Sequence, residues 1–355
     1  MQRRLRDKEI DTSQFARPEG VDARAILTVI RVPREWEKWR LDRVVHATFH
    51  RMSRTRAQQV IDVGAFAPDG RRLRASSRVR FDDLVLLYRP PFEEPDVPLD
   101  MPVVFEDEHL LAIDKPSGLP VHPTARYHHK TVTARLAVVR PDEFFALCHR
   151  IDRETSGVLL IAKDRDTERL VKKALETHDA IQKRYLAITW GVPFDKSGRI
   201  ALSLALDETH RFRVKMKICD ADAPDAQHAA TRYEVLGVRR ARGDASRRYA
   251  LIACDLETGR QHQIRAHLTA IGAPIVGDKL YGPDDELFAR GADGTLTEDD
   301  LALLELPRHA LHAHRLGFDH PRKKGERVTI VAALPRDLQE FWDALVDVGS
   351  GEGER

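Results

Sequence analysis

The chain has 355 residues, 42% apolar and 32% charged, which suits a soluble protein of about two domains with a sizeable core. No apolar run approaches the length of a membrane span, and the start, MQRRLRDKEIDTSQ, is basic with no apolar stretch behind it. A membrane protein and a secretory leader are therefore not read, and a cytoplasmic location is expected. The three cysteines, Cys148, Cys219 and Cys254, are far apart and lack zinc-type spacing, so reduced thiols and no structural metal are expected.

The net charge is only +2, but it is unevenly placed. From Arg31 to Pro90 fourteen Arg/Lys stand against seven Asp/Glu, a local +7 that leaves about −5 for the remainder. Within this basic module Leu41, Val44, Val45 and Phe49 recur at helical spacing. A second helix is predicted from Ser53, with Ala57, Val60 and Ile61 inward and Gly64 closing it. A hairpin follows, turning at Asp69-Gly70, with Val79 to Tyr88 as its strand. Arg54 and Arg56 fall in the first turn of the second helix, where the dipole favours anions, so a phosphate there would relieve a local conflict.

The organisation predicted from the chain is a flexible lead at 1–24, the basic module at 25–90, a proline-rich linker at 91–102, a larger domain at 103–346 and a flexible tail at 347–355. The larger domain opens with two short apolar runs around Asp107-Glu108 that lead to Lys115-Pro116-Ser117-Gly118. The stretch CHRIDRETSGVLLIAKD, 148–164, then sets Asp152 between Arg150 and Arg153 in a polar turn running into a strand at Val158 to Ala162. Next, Ile181 to Ala187 alternates as a strand and carries Lys183 and Tyr185.

Further on, Thr258 and Gln261 stand at capping-box spacing. They predict a helix from about Gly259 to Gly272 with Ile264, Leu268 and Ile271 on its core face and Arg265 in its second turn. His262 and His267 lack an acidic companion at ligand spacing, and no metal is read there. The acidic stretch 283–307 is predicted as a surface insertion with a helix at Glu298 to Leu306. A strand at Val328 to Ala332 and a helix at Leu338 to Val346 follow.

The Asp152 turn resembles the HR-apolar-D-R-acid-TSG signature of the RluA-type RNA pseudouridine synthases, nearly complete over nine positions. Lys115 to Gly118 is similar to that family's N-K-P-x-G loop, with Asp114 replacing Asn. Lys183-Arg184-Tyr185-Leu186-Ala187 resembles its K-x-Y-L-A strand. Thr258 to Gly282 resembles the family block TGR-x-HQIR-x-HL followed by G-x-P-I-x-GD-x-x-YG, and Arg308 to Ala313 its RQALHA segment with His309 in place of Gln. The basic module is similar to the S4 RNA-binding domain through Arg40-Leu41-Asp42, Ser53-Arg54-Thr55-Arg56 and Val63 to Ala67. It departs at Pro68-Asp69-Gly70, where Val-Asn-Gly is usual.

The resemblance implies an α+β protein, a small S4 module followed by a catalytic domain with a mixed, mainly antiparallel sheet. It implies isomerisation of uridines to pseudouridine in RNA by base flipping, with no cofactor and no metal, by a protein expected to be a monomer. Asp152 is the implied nucleophile, Arg265 its ionic partner, and Tyr185 the stacking residue and acceptor of the C5 proton. Whether Asp152 engages C1′, adds to C6 or assists a glycal route stays open. The implied RNA contacts are Arg40, Arg54, Arg56, Arg150, Arg153, Lys183, Arg260 and His262. Large-subunit ribosomal RNA is the expected substrate and transfer RNA the alternative. Two other classes are weighed: a non-catalytic S4 RNA-binding protein, and a glycoside hydrolase using Asp152 with Glu257.

Overall fold

The computed structural model describes residues 12–49, 53–89, 94–124, 126–176 and 181–348, arranged as two compact units that divide between Glu93 and Glu94. Most of the expected tail, from 349 on, and the first part of the expected lead, 1–11, lie outside the described residues, as do 91–93 of the expected linker.

The first unit contains β1 (Ile26–Arg31), α1 (Leu41–Thr48), α2 (Arg54–Gly64), β2 (Ala65–Phe66) and β3 (Leu84–Arg89). Its sheet is antiparallel in the order β1-β3-β2. The predicted inward residues Leu41, Val44, Val45, Ala57, Val60 and Ile61 are buried against Ile30, Val85 and Leu87. Gly64 ends α2 at a point where a Cβ would stand 2.0 Å from the Tyr88 carbonyl oxygen, so only glycine lets helix and strand approach.

The strand predicted at Val79 to Tyr88 begins only at Leu84, because Arg80 to Asp83 form a turn in which Asp82 has φ +67° and Asp83 Oδ2 accepts the Arg80 N–H. Residues 12–24, expected to be flexible, place Phe15 and Val21 against Phe66, Leu86 and Tyr88 on the other face of the sheet. Nor is 94–102 a free linker. Glu94 accepts the N–H groups of His128, His129 and Lys130, and Val97 and Met101 pack into the second unit.

The second unit runs β4 (Val103–Glu106), β5 (Leu110–Lys115), α3 (Val132–Val139), β6 (Ala146–Leu147), β7 (Ser156–Ala162), α4 (Arg165–Glu176) and β8 (Ile181–Trp190). It continues with β9 (Ser197–Ala201), β10 (Ser203–Leu206), β11 (Met216–Cys219), β12 (Ala230–Ala241), β13 (Asp244–Leu256) and α5 (Gln263–Ala270). It closes with α6 (Glu286–Asp293), α7 (Glu298–Leu304), β14 (Leu311–Asp319), β15 (Arg327–Val331), α8 (Arg336–Ala344) and β16 (Val346–Asp347).

The large sheet is ordered β16-β12-β13-β8-β14-β7-β5-β4, with β15, β6 and β9 on side edges. It is mixed and mainly antiparallel: among its described pairs only β14 with β7 is parallel. β7 and β8 flank β14 at the centre, and the segment Leu147–Thr155 and the strand bearing Tyr185 therefore meet across one neighbour. The acidic insertion holds two helices rather than one, and it is tied down. Leu287 and Leu304 are fully buried, and Glu305 accepts from the Trp190 indole and the Tyr249 hydroxyl.

Candidate active site

Asp152 lies in the loop between β6 and β7, and that loop is held from three sides. Lys115, fully buried at the end of β5, donates to the carbonyls of Pro116, Leu119 and Arg153 at 2.8–2.9 Å; burial pushes its ammonium down to about 7. From a second side Ser117 Oγ donates to the Glu154 carbonyl at 2.7 Å, and the Gly118 N–H to that of Arg153 at 2.8 Å. From a third, His309 Nε2 and His312 Nδ1 lie 2.8 and 2.9 Å from the hydroxyls of Thr155 and Ser156. Gly157 has φ +108°, and a Cβ there would come within 2.3 Å of the Ala313 carbonyl oxygen on β14. Both the left-handed backbone and the close approach of the parallel strand require glycine here.

The cation facing Asp152 comes from α5. Arg265 Nη1 donates to Asp152 Oδ2 at 3.0 Å, while Nε and Nη2 grip Asp278 at 2.6 and 2.8 Å. Asp278 is itself fixed, its Oδ1 accepting the N–H groups of Leu280 and Tyr281. Burial alone would raise the Asp152 carboxyl. The charges of His262, Arg265 and His309 and the hydrogen bond from Arg265 outweigh it and hold the group below the usual carboxylate range. Burial drives His262 down to about 4 and His309 to about 3, so both are neutral at pH 7 and Arg265 is the lasting cation.

The helix itself is shorter than the capping-box spacing predicts. It begins at Gln263, after His262 in a left-handed conformation with φ +55°, and Arg265 is in its first turn rather than its second. The Thr258 hydroxyl is occupied by the Ala230 N–H and by the Gln263 side chain, and Gln261 reaches instead to the Val214 carbonyl. Tertiary bonds took the groups that a cap would have used.

Tyr185 projects from β8 into the same pocket, whose walls include Arg150, Ile151, Asp152, Arg260, His262 and Arg265. Burial, then the Asp152 charge, raises its phenol, which is protonated at neutral pH. His262 Nδ1 contacts the Tyr281 hydroxyl at 3.2 Å, and its Nε2 is 3.9 Å from Asp152. The pocket therefore brings together a carboxylate with 31% of its side chain exposed, a permanent cation, an aromatic ring and two mouth arginines.

Two predicted RNA contacts are placed otherwise. Arg153 turns away from the pocket to Tyr127 and Glu154, both at 2.9 Å. Lys183 stands beside Gly259 rather than in the pocket wall. Glu257, the partner a glycoside hydrolase would need, does not line the pocket; hydrogen bonds from Arg199 and Arg232 hold it down to about 2. His267 is spent on the Thr231 hydroxyl and the Leu202 carbonyl.

In the first unit Arg40 and Arg54 both converge on the fully buried Asp42, which Gln58 also contacts at 2.9 Å. Burial opposes its ionisation, but the bonds from Arg40 and Gln58 and the two cations bring it down to about 2. The conflict expected at the N-terminus of α2 is thus already relieved by a carboxylate from α1. Arg56 bonds Gln59 at 3.1 Å, and its N–H is capped by Ser53.

Sequence reasoning passed over Asp278, Asp42, Lys115 and Glu154 as site-forming residues. Asp278 stood inside the matched GD-x-x-YG motif, but nothing in its neighbours announces a partner thirteen residues earlier.

Comparison with known proteins gives the chain its family. Residues 109–270 match the RNA pseudouridylate synthase family. An uncharacterised RNA pseudouridine synthase of Bacillus subtilis, YlyB, is 31% identical over 89% of this chain and 97% of its own. The ribosomal large subunit pseudouridine synthase D of Zymomonas mobilis is 33% identical over 87% and 94%. Among solved structures, human RNA pseudouridylate synthase domain containing 4 aligns with a TM-score of 0.52 and 28% identity over 68% of this chain and 92% of that one. With the family match falling across the Asp152 loop, the Tyr185 strand and α5, the chain belongs to the RluA-type RNA pseudouridine synthases, enzymes that isomerise uridine within RNA.

Proposed function

We propose that the chain modifies uridines in large-subunit ribosomal RNA, with Asp152 as nucleophile. The observation that carries the catalytic part is the 3.0 Å contact between Asp152 and an arginine whose other face is locked on Asp278. A carboxylate in that setting stays ionised, keeps a free lone pair toward the pocket and can leave again after bonding to the nucleotide. The target class rests on relatives such as the Zymomonas mobilis and Xanthomonas campestris enzymes, both described as ribosomal large subunit pseudouridine synthase D, at 33% and 34% identity. The first unit is read as the S4-like RNA-binding module, presenting Arg40 and Arg54 to phosphate; a cytoplasmic, monomeric enzyme fits this reading.

Arg150 and Arg260 at the mouth would take the phosphates beside the flipped nucleotide, and Tyr185 would stack on the uracil, a contact worth roughly 1–3 kcal/mol. Because its phenol is protonated, Tyr185 takes the C5 proton only while handing on its own. The Asp152 carboxylate, freed when C5 joins C1′ and lining the same pocket, is the receiver; it then passes that proton to N1 of the turned base, which completes the product and restores the carboxylate.

Asp152→Asn keeps the size of the side chain and removes its charge. Single-turnover assays with excess folded enzyme should give background pseudouridine, with RNA affinity within a few-fold of the parent; appreciable product would place the nucleophile elsewhere. Tyr185→Phe should bind and cleave the glycosidic bond yet stall before release. Normal product formation by this variant would remove Tyr185 from the proton transfer.

A further inference from the structure

The tip of the β12–β13 hairpin carries Arg239, Arg240, Arg242, Arg247 and Arg248 against one acid, Asp244. That acid is consumed by the turn, its Oδ1 accepting the N–H and hydroxyl of Ser246 at 2.9 and 2.6 Å. Arg239 is tied to Asp343 and the Trp342 carbonyl, and Arg247 to Glu305. The side chains of Arg240, Arg242 and Arg248 have no hydrogen-bond or ion-pair partner among the described residues. Arg240 also stands directly opposite Arg248 in the ladder. Cross-strand neighbours have Cβ atoms about 4.5–5.5 Å apart, and like charges so placed are destabilising.

An anion at the tip converts that repulsion into attraction. The register also sets where such an anion would lie relative to the pocket. Cys254 pairs with Tyr185, and residues two apart share a face, so Arg248 projects on the Tyr185 side of the sheet. Six residues separate Arg248 from Cys254, roughly 20 Å at strand rise. Guanidinium groups suit phosphodiester oxygens in charge and geometry, and the RNA this family acts on is a polyanionic phosphodiester chain that extends far beyond one nucleotide.

We propose that Arg240, Arg242 and Arg248 form a second RNA-contact surface, gripping backbone phosphates of substrate about 20 Å from the modified nucleotide. It rests on the chain being an RNA pseudouridine synthase and adds a requirement for substrate length. Short RNA reaches the pocket alone; longer RNA reaches both.

The test compares the parent with a variant carrying Arg240→Gln, Arg242→Gln and Arg248→Gln on two RNAs. One is a stem-loop holding the target uridine, and the other is the same stem-loop within a long ribosomal fragment. The variant should convert the stem-loop with unchanged kcat/KM and bind the fragment about tenfold or more weakly. Its log–log salt slope on the fragment should fall by about 2 to 3, at roughly 0.7–0.9 per phosphate contact. Lysine at the same three positions should restore most of the slope. An unchanged slope and KM on the fragment would overturn the proposal, as would equal weakening on both RNAs. A parent that converts neither RNA would instead count against the assigned substrate, so the two failures are distinct.

Discussion

Two arginine–carboxylate clusters, one in each unit, are built inside out relative to each other. In the first unit the acid is buried and the bases are not: Asp42 is fully enclosed while the side chains of Arg40 and Arg54 keep 42% and 58% of their exposure. In the second the base is buried, Arg265 at 7%, between a fully enclosed Asp278 and a partly open Asp152. The first arrangement holds two guanidinium groups at the surface with N–H donors to spare, which suits recruitment of phosphate. The second uses up Nε and Nη2 on one acid and leaves Nη1 to fix the other, which suits holding one carboxylate in one ionisation state. The same chemical pair presents cations to water in one place and a carboxylate in the other, and what decides is which partner is buried.

That contrast is most severely tested at Asp278. Asp278→Asn leaves Arg265 buried with only one charged partner, a loss of about 3–5 kcal/mol when a buried pair is broken. Turnover should fall about 100-fold or more as Arg265 loses its grip, and the acid limb of the kcat profile should move, since Asp152 would then share all of the guanidinium. If turnover and its pH profile matched the parent, Asp278 would be merely structural.

Asp42→Asn should cost less, about 1–3 kcal/mol, because the arginines it releases are largely solvated already. Hydrogen exchange should quicken in α1 and α2 and not around α5, and RNA binding should weaken while bound substrate turns over normally. An Asp42 variant as damaging to turnover as the Asp278 variant would erase the distinction.

Acid should produce the mildest effect and report the Asp42 cluster together with Glu154, the carboxylate in the Asp152 loop that accepts from Lys279 at 2.9 and 3.1 Å. Asp42 falls from 3.8 to about 2 on folding, and Glu154 from 4.5 to about 2, through burial opposed by the larger pull of Lys279, His309 and Arg153. Folded values below the unfolded ones mean stability that is complete above about pH 4.5 and drains as pH falls toward 2. Urea midpoints should therefore be level from pH 7 to 5 and drop by pH 3; a midpoint unchanged at pH 3 would deny both ion-pair assignments.

Local pattern was enough to place much of this chain. The period of Leu41, Val44 and Val45 is a property of one helix face, and the alternation around Tyr185 of one strand, so both were legible without knowing the fold. The Asp152 turn, Tyr185 and Arg265 were singled out by the resemblance of their motifs to a known family rather than by local pattern. Where neighbours far along the chain compete for the same polar groups, local signals failed. Thr258 offers a cap on paper, but Ala230 and Gln263 claim its hydroxyl. Val79 to Asp83 has strand-like residues, but the turn closed by Asp83 holds them out of the ladder.

By itself, then, the sequence determined the helical and strand faces and the basic character of the first unit, because these depend on residue type and short-range order; the acid, the cation and the ring in the pocket it named only through its resemblance to a family. Tertiary structure decided what those groups do to each other. Asp278 meets Arg265, Lys115 meets the Arg153 carbonyl, and Arg153 leaves the pocket for Tyr127, only because distant strands and loops converge. Burial sets the strength and direction of each of these contacts, and burial is a property of the packed chain rather than of any segment in it.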